Sequence, residues 1–450
     1  MRIHTIAIVL VALLAQTSAE RSTAFWNVSV IDLDTGSVRA GMVVSIQGGR
    51  ITRVESARGP KPADATIIDG AGRYLIPGLW DSHVHLTKLG APALLAFVAN
   101  GVTSVRDMGS NLAQVRQWRS DVESGARIGP RIKTSGQILE SRANVERMKR
   151  ERTVEPVDRI RMPVGTAEEA KAAVALLADA GADFIKVRTI ADAGTFSAIA
   201  AAARARGLAL AGHPVASPDA LIQARMASVE HLLTFPPLDA LSVDERRKLF
   251  ERLRDANVRL GTTTVNIENS VLVPYEDAVA RLQSDPLRRY VTDYLAADWA
   301  EQVEEKKGPE AAGGIQTYVK ALPSLFRDLR EMHAAGVKFL AGSDAAVVFI
   351  HPGFSLHGEL ESLVRNVGLA PVEALRASVV NPAAFFGLER ELGAIRAGYR
   401  ADLVLLERNP LEDIRRTRQI RGVMRDGQWF DRKALDGLLE RAAREARLEK

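Results

Sequence analysis

The chain has 450 residues, with 60 Lys+Arg against 55 Asp+Glu, 46% hydrophobic residues, 26% charged residues and no cysteine. This is a globular composition, and it excludes a largely disordered, collagen-like or disulfide-stapled chain. The net charge of +5 is small for the length, and no stretch collects basic residues without acids, which excludes a nucleic-acid-binding surface.

The chain opens with a leader-like stretch. Arg2 precedes an apolar run over 6–15 and the small-residue ending Thr17-Ser18-Ala19, a secretory signal layout with cleavage expected after Ala19. Ten apolar residues fall well short of the ~20 that span a bilayer, so the reading is a cleaved signal rather than an anchor. It predicts a secreted or periplasmic protein that keeps no membrane attachment once the signal is removed. Without cysteine there is no site for a lipid on sulfur, and an oxidising compartment changes nothing.

Residues 20–76 read as short strands. Val28/Val30 and Met42/Val44/Ile46 alternate with polar neighbours, and Asp34-Thr35-Gly36 and Gly48-Gly49 supply turns. A second patch over 389–431 contains the apolar run 403–406 and the hairpin signal Asp426-Gly427. Neither patch holds enough apolar surface for a large core, so the two are expected to form one small composite β-sandwich domain.

Between them, over 77–388, the pattern becomes strand, helix, strand. Candidate strands fall at 81–86, 102–106, 131–136, 182–187, 208–213, 228–231, 258–263 and 337–341. Helix starts are marked by Thr166-x-x-Glu169, Ser217-Pro218 and Ser242-x-x-Glu245. Eight βα units imply an α/β fold closed as a (β/α)8 TIM barrel. The spacing breaks over about 267–336, where helical composition at 277–283, 287–302 and 317–333 predicts a helical insertion near the barrel mouth. The segment 136–161 carries seven basic and five acidic residues and reads as a solvated charged loop at the mouth, or as an attractor for a substrate carboxylate. Residues 432–450 read as an exposed terminal helix without chemistry.

Histidine placement carries the functional signal. Of eight histidines, four fall at predicted strand ends: His83, His85, His213 and His231. His83 and His85 are two apart, so on a strand they face the same way and can share one metal ion. Nitrogen and oxygen ligands without thiolate suit zinc, and also Mn, Co, Ni or Fe. Lys186 lies inside an apolar strand, where an ammonium is costly unless paired or neutralised. As a neutral amine it could take up carbon dioxide as a carbamate that bridges two cations; paired with an acid, it would be structural. Asp344, ending the eighth strand, can bind a metal and exchange a proton with water, or serve as a loop or capping residue. His351 and His357 follow that strand and are candidate substrate contacts, as is Arg188; His333 reads as a helix end.

These segments together resemble the metal-dependent amidohydrolase superfamily, in its secreted branch near imidazolonepropionase-like and Xaa-Pro dipeptidase-like enzymes. The resemblance rests on Pro77-Gly78-Leu79-Trp80-Asp81-Ser82-His83-Val84-His85, the run Gly101 to Asp107, Ile185-Lys186-Val187, Gly212-His213, Glu230-His231, Gly342-Ser343-Asp344 and the tail Leu392 to Leu405. It implies a site for two divalent metal ions. His83 and His85 with Asp344 would hold one ion and His213 with His231 the other, with carboxylated Lys186 and a hydroxide between them. Asp344 would shuttle the hydroxide proton to the leaving amine. The expected reaction is hydrolysis of an amide bond in a small-molecule substrate, a dipeptide or N-acyl amino acid. A one-metal cyclic amidohydrolase or deaminase, a lactonase or esterase on the same site, and a non-catalytic binding protein are the alternatives. The chain departs from the dipeptidase-like members in lacking a Gly/His-rich loop after the third strand. No macromolecular partner is implied, and homo-oligomerisation is left open.

Overall fold

A computed structural model describes residues 22–190, 192–213, 217–231 and 238–449. The leader-like stretch 1–19 lies outside the described residues. Among them, no helix is long and apolar enough to cross a membrane.

Strands from both parts of the chain pair with one another. Strands Ser22–Asp32, Ser37–Gln47, Arg50–Ser56, Ala65–Asp69 and Tyr74–Pro77 join Leu403–Leu406, Ile420–Arg425 and Gln428–Asp431 in a single eight-stranded sheet. The seam is antiparallel, with Val404 opposite Ile76 and Leu405 opposite Leu75. Phe25, Val30, Val44, Leu75, Leu403 and Met424 form its own buried apolar cluster, the inward set of the alternating pattern. Asp426 (φ 50°) and Gly427 (φ 83°) both take the left-handed conformation that a two-residue hairpin turn needs. They connect Ile420–Arg425 to Gln428–Asp431.

The remainder is a mixed α/β fold built on parallel sheet, consistent with a TIM-barrel-type domain. All eight expected strands are present. Leu79–Val84, Val102–Asp107 and Arg131–Thr134 form one parallel set. Phe184–Arg188, Ala209–Gly212, Met226–Glu230, Arg259–Gly261 and Phe339–Leu340 pair in that order in a second. Backbone bonds join the two sets at both margins: Asp183 N donates to Thr134 O at 2.8 Å, and Ser82 N to Ala341 O at 3.0 Å. Leu79–Val84 and Val102–Asp107 are buried at every position, as expected of parallel strands covered on both faces. The helix starts also match. Ser242 and Glu245 form a reciprocal capping box, and Ser217 accepts from Ala220 N with Pro218 at the first helical position. At Thr166 the box is half formed, because the Glu169 carboxylate reaches Gly165 N instead.

Two expectations are corrected. Residues 136–161 are not a solvated loop. They contain the strand Ile138–Ser141, the helix Arg142–Glu151 and the turn Val157–Ile160, leading into the strand Arg161–Val164. Val145, Met148 and Val157 are buried together, so an apolar i, i+3 pair orders a segment whose composition is dominated by charge. The terminal helix Arg432–Ala446 is likewise not free. It buries Leu435, Leu438, Ala442 and Ala443 and lies against the helix Ala93–Ala99. The long insertion is helical as expected, over Tyr275–Ser284, Asp293–Glu304 and Pro309–Ala334, with a 3-10 turn at Pro286–Tyr290 separating the first two.

Candidate metal centre

Strand ends bring the site together. His83 and His85 leave the Leu79–Val84 strand with ring centroids 5.5 Å apart, His83 lies 4.6 Å from His231, and His213 lies 4.9 Å from His231. Asp344 sits at their centre. Its Oδ1 lies 3.5 Å from His83 Nε2 and 3.3 Å from His85 Nε2, and its Oδ2 lies 3.9 Å from His231 Nε2. One donor atom each from His83, His85 and Asp344 falls within 4.8 Å of the others, a spacing that can hold a metal ion. These residues, with Lys186, His213 and Arg188, line one cavity of about 290 Å³.

The outer nitrogens of three histidines are already engaged. His85 Nδ1 faces the Gly109 carbonyl at 3.1 Å, and since a carbonyl only accepts, Nδ1 is the donor of that bond. His83 Nδ1 faces Glu230 Oε2 at 3.2 Å, and His231 Nδ1 faces Thr263 Oγ1 at 2.7 Å. Glu230 is fixed in turn: Arg106 Nη2 donates to Oε2 at 2.7 Å and Ser228 Oγ to Oε1 at 2.5 Å. Arg106 also donates to Ser82 O at 2.6 Å and Ser228 Oγ at 2.9 Å. This is the outer bonding that sets ring orientation and tautomer in metal-binding histidines.

Backbone shape explains the motif residues around them. A Cβ on Gly342 would lie 2.6 Å from His83 Cβ, and one on Gly212 would lie 2.1 Å from Val187 O. Only glycine lets Asp344 and His213 follow strands packed this closely. His231 (φ 62°) and Asp344 (φ 65°) themselves hold left-handed conformations that non-glycine residues rarely adopt. Asp81 locks the arrangement: its carboxylate accepts Ser343 N at 2.8 Å and Ser343 Oγ at 2.6 Å, tying the eighth strand end to the first.

Burial governs the protonation states. It lowers His83 to about 3, assisted by Lys186, and lowers His231 to about 4 against the pull of Asp344. Burial drives His213 well below its ordinary value too. Neutral imidazole is the form that binds metal. Burial opposes ionisation of Asp344, yet His83, His231 and His85 outweigh it and hold the carboxyl well below the usual range. Burial also brings Lys186 down to about 8, with Glu230 and Asp344 opposing the shift. At that value a real fraction of the amine is unprotonated near neutral pH.

The structure separates the expected substrate contacts. Arg188 faces the cavity; His351 and His357 do not. His357 is buried with Nδ1 3.0 Å from Thr417 Oγ1 and Nε2 3.0 Å from Asn100 O, so both ring nitrogens are occupied. His351 stacks edge-on against Trp299, with Nε2 2.9 Å from Asp285 Oδ2. Both are structural histidines. His333 lies in the last turn of Pro309–Ala334, as read.

The cavity walls also contain residues of the two segments expected at the mouth. Arg147, Met148, Arg152, Glu155 and Arg161 come from the supposed loop, and Gln302 and Glu305 from the insertion. Arg106 and Glu230 carry the signal that marked Lys186, a charge inside an apolar strand. Glu359, on the helix Phe354–Ser362, holds the loop that supplies Thr263. It accepts from the Thr262 hydroxyl, from Thr264 Oγ1 at 2.8 Å and from Val265 N at 2.8 Å. Burial raises Glu359 from an ordinary 4.5 to about 7, against these bonds. The folded chain therefore binds this proton more tightly than the unfolded one, so its contribution is full below about pH 4.5 and is lost as pH rises through about 7. Glu359→Gln is expected to flatten the fall of melting temperature between pH 5 and 7; an unchanged slope in a thermal-melt series would refute this.

Comparison with known proteins agrees with the geometry. Residues 74–430 match the model of the Amidohydrolase family. The chain is 40% identical over 82 residues to the ochratoxinase of Aspergillus niger, covering 18% of this chain and 16% of that protein. It is 34% identical over 121 residues to the imidazolonepropionase of Rubrobacter xylanophilus, covering 25% of this chain and 29% of that one. The crystal structure of a putative prolidase from Bifidobacterium longum superposes with a TM-score of 0.69 at 23% identity, over 94% of this chain and 99% of that one.

Proposed function

The chain belongs to the amidohydrolase family, and from that premise we propose that it hydrolyses the amide bond of a dipeptide or N-acyl amino acid at a two-metal centre. His83, His85 and Asp344 would hold one divalent ion and His213 and His231 the other, with Lys186 shared between them. The observation that carries this reading is the convergence of His83, His85 and His231 Nε2 on one carboxylate, in a cavity that Lys186 also lines. The donor set fits: four imidazoles, three of them with engaged outer nitrogens, an ionised carboxylate and no thiolate, which suits zinc and also Mn, Co, Ni or Fe. When bound, such ions polarise a carbonyl and acidify water.

The chain's own residues do the rest. Neutral Lys186 Nζ would add to carbon dioxide, the N–C bond forming as one C=O π pair moves to oxygen and an N–H proton passes to water, to leave an anionic carbamate. Asp344, held ionised, accepts the proton released by the attacking water and returns it to the leaving nitrogen. An amide leaving group needs that proton, because an expelled amide anion is far too basic. Asn266 Nδ2, donating to Asp344 Oδ2 at 2.9 Å, steadies the carboxylate for both transfers.

The same reading covers the chain's organisation: a leader over 1–19, a composite β-sandwich domain over 20–76 and 389–431, and a (β/α)8 barrel over 77–388. The barrel carries an insertion at 267–336 and is followed by a terminal helix over 432–450. The hydrogen bonds at both margins of the parallel sets support closure of the barrel. The leader-like sequence supports a secreted or periplasmic location.

The ochratoxinase and the imidazolonepropionase are covered over less than a third of their own lengths, so the substrate class rests on the cavity and its charges. A one-metal enzyme acting on a cyclic amide has no use for a bridging carbamate, and the buried Lys186 favours the two-metal reading over it. The test is a hydrolysis screen of dipeptides, N-acyl amino acids, lactones and cyclic amides with zinc, manganese or cobalt, alongside metal analysis. Amide cleavage with about two metals per chain is expected. Activity confined to lactones, or a single metal at full activity, would overturn the proposal.

A further inference from the structure

We propose, building on the amide-hydrolase reading, that Arg188 anchors a free carboxylate on the leaving-amine side of the substrate and restricts the enzyme to substrates that carry one.

Among the described residues four arginines line the cavity, and three of them donate to carboxylates. Arg152 donates to Glu305 at 2.6 Å, Arg161 to Glu140 at 2.6 Å and Glu155 at 3.0 Å, and Arg147 to Glu151. The Arg188 guanidinium donates no hydrogen bond to any described residue. Its nearest carboxylate oxygen, Glu140 Oε2, is 3.7 Å away and is the one that accepts from Arg161. The other oxygen of Glu140 is taken by Asn144 and by the Thr189 hydroxyl. A guanidinium with five donors, only about a third exposed, therefore faces the cavity without an acceptor of its own among the described residues. Leaving such donors partly desolvated and unpaired is costly, and a planar carboxylate satisfies two at once.

Position selects the kind of anion. Lys186 and Arg188 are i and i+2 on one strand, so they face the same way about 6.6 Å apart along the backbone. Arg188 is near enough to Lys186, His213 and His231 to disfavour their charged forms. In a dipeptide or N-acyl amino acid the carboxylate carbon is three bonds from the scissile carbonyl carbon, within about 4 Å. A carbonyl held over the metal centre therefore places its α-carboxylate toward the next outward position of the strand, which is Arg188. A neutral amide or cyclic substrate would leave the guanidinium unpaired.

The test compares the most rapidly cleaved dipeptide of the screen with the same dipeptide bearing a C-terminal carboxamide. The wild-type enzyme should prefer the carboxylate by about 10- to 100-fold in kcat/KM, the range of a charged hydrogen-bonded pair. In Arg188→Met that ratio should collapse toward one, chiefly through KM, and Arg188→Lys should restore part of it. Calorimetry supplies a reading independent of turnover: the product amino acid should bind wild-type protein more tightly than its amide, and Arg188→Met should lose the difference. Equal cleavage of both dipeptides by the wild type, or a preference that survives in Arg188→Met, would overturn the inference with the hydrolase reading intact. Failure to cleave any amide in the screen would instead remove the reading on which it rests.

Discussion

Asp344→Asn is expected to lower kcat/KM for amide hydrolysis by about 10²- to 10⁴-fold, the contribution typical of a positioned acid–base group. The substitution keeps the size of the side chain and one oxygen facing His83 and His85, which lie 3.5 and 3.3 Å from the present carboxylate. It removes the charge and the capacity to accept a proton. The proton cycle is hit twice, once when water gives up its proton and again when the nitrogen must leave. Because the second transfer matters most for poor leaving groups, the loss should be larger for an alkyl amide than for an activated anilide. Steady-state kinetics on both substrates, with metal measured on the same samples, decides the point. Undiminished amide turnover in metal-loaded Asp344→Asn, or equal losses for the two leaving groups, would show that Asp344 does not carry the proton.

Much of this centre was legible in the sequence because its residues occupy strand ends punctuated by glycine. Gly212-His213 and Gly342-Ser343-Asp344 are recognisable since close strand packing leaves no room for a Cβ at either glycine. His83 and His85 were readable from strand periodicity alone. The pairing of Arg106 with Glu230, 124 positions apart, is a product of topology, and no local pattern discloses it. His351 and His357 mislead for the same reason: their neighbours Asp285, Thr417 and Asn100 come from distant segments, and a histidine buried against such groups looks, in sequence, like one awaiting a ligand. The 136–161 segment failed differently. Its charges outnumber its apolar residues, yet Val145, Met148 and Val157 suffice to bury one side of the helix, and its charged side then forms the cavity wall. Counting charge described the surface and missed the fold. In the terminal helix the spacing of Leu435, Leu438 and Ala442 was a readable apolar face, and only its docking site was not.

Lys186→Ala is expected to cost more than the roughly 10- to 100-fold that loss of an outer-shell partner brings to a metal site, and to drop the metal content from about two per chain toward one. In the proposed centre Lys186 is the only side chain that would serve both ions, so its removal would take the bridging anion away. The side chain is essentially fully buried, so truncation to alanine also opens a space of several methylene groups beside Asp344 and His231. That space makes the experiment decisive. If the lysine acts through a carboxylate on its nitrogen, a small carboxylic acid such as acetate or propionate can enter the gap, supply the missing oxygens and restore part of both metal content and activity. If the lysine is instead a buried ammonium paired with Glu230 or Asp344, small acids do nothing, whereas a small amine is the molecule that could replace the lost cation. Measuring rescue by propionate against rescue by ethylamine separates the two roles in one variant. Rescue by the amine alone, with two metals retained throughout, would remove the bridging carbamate from the mechanism.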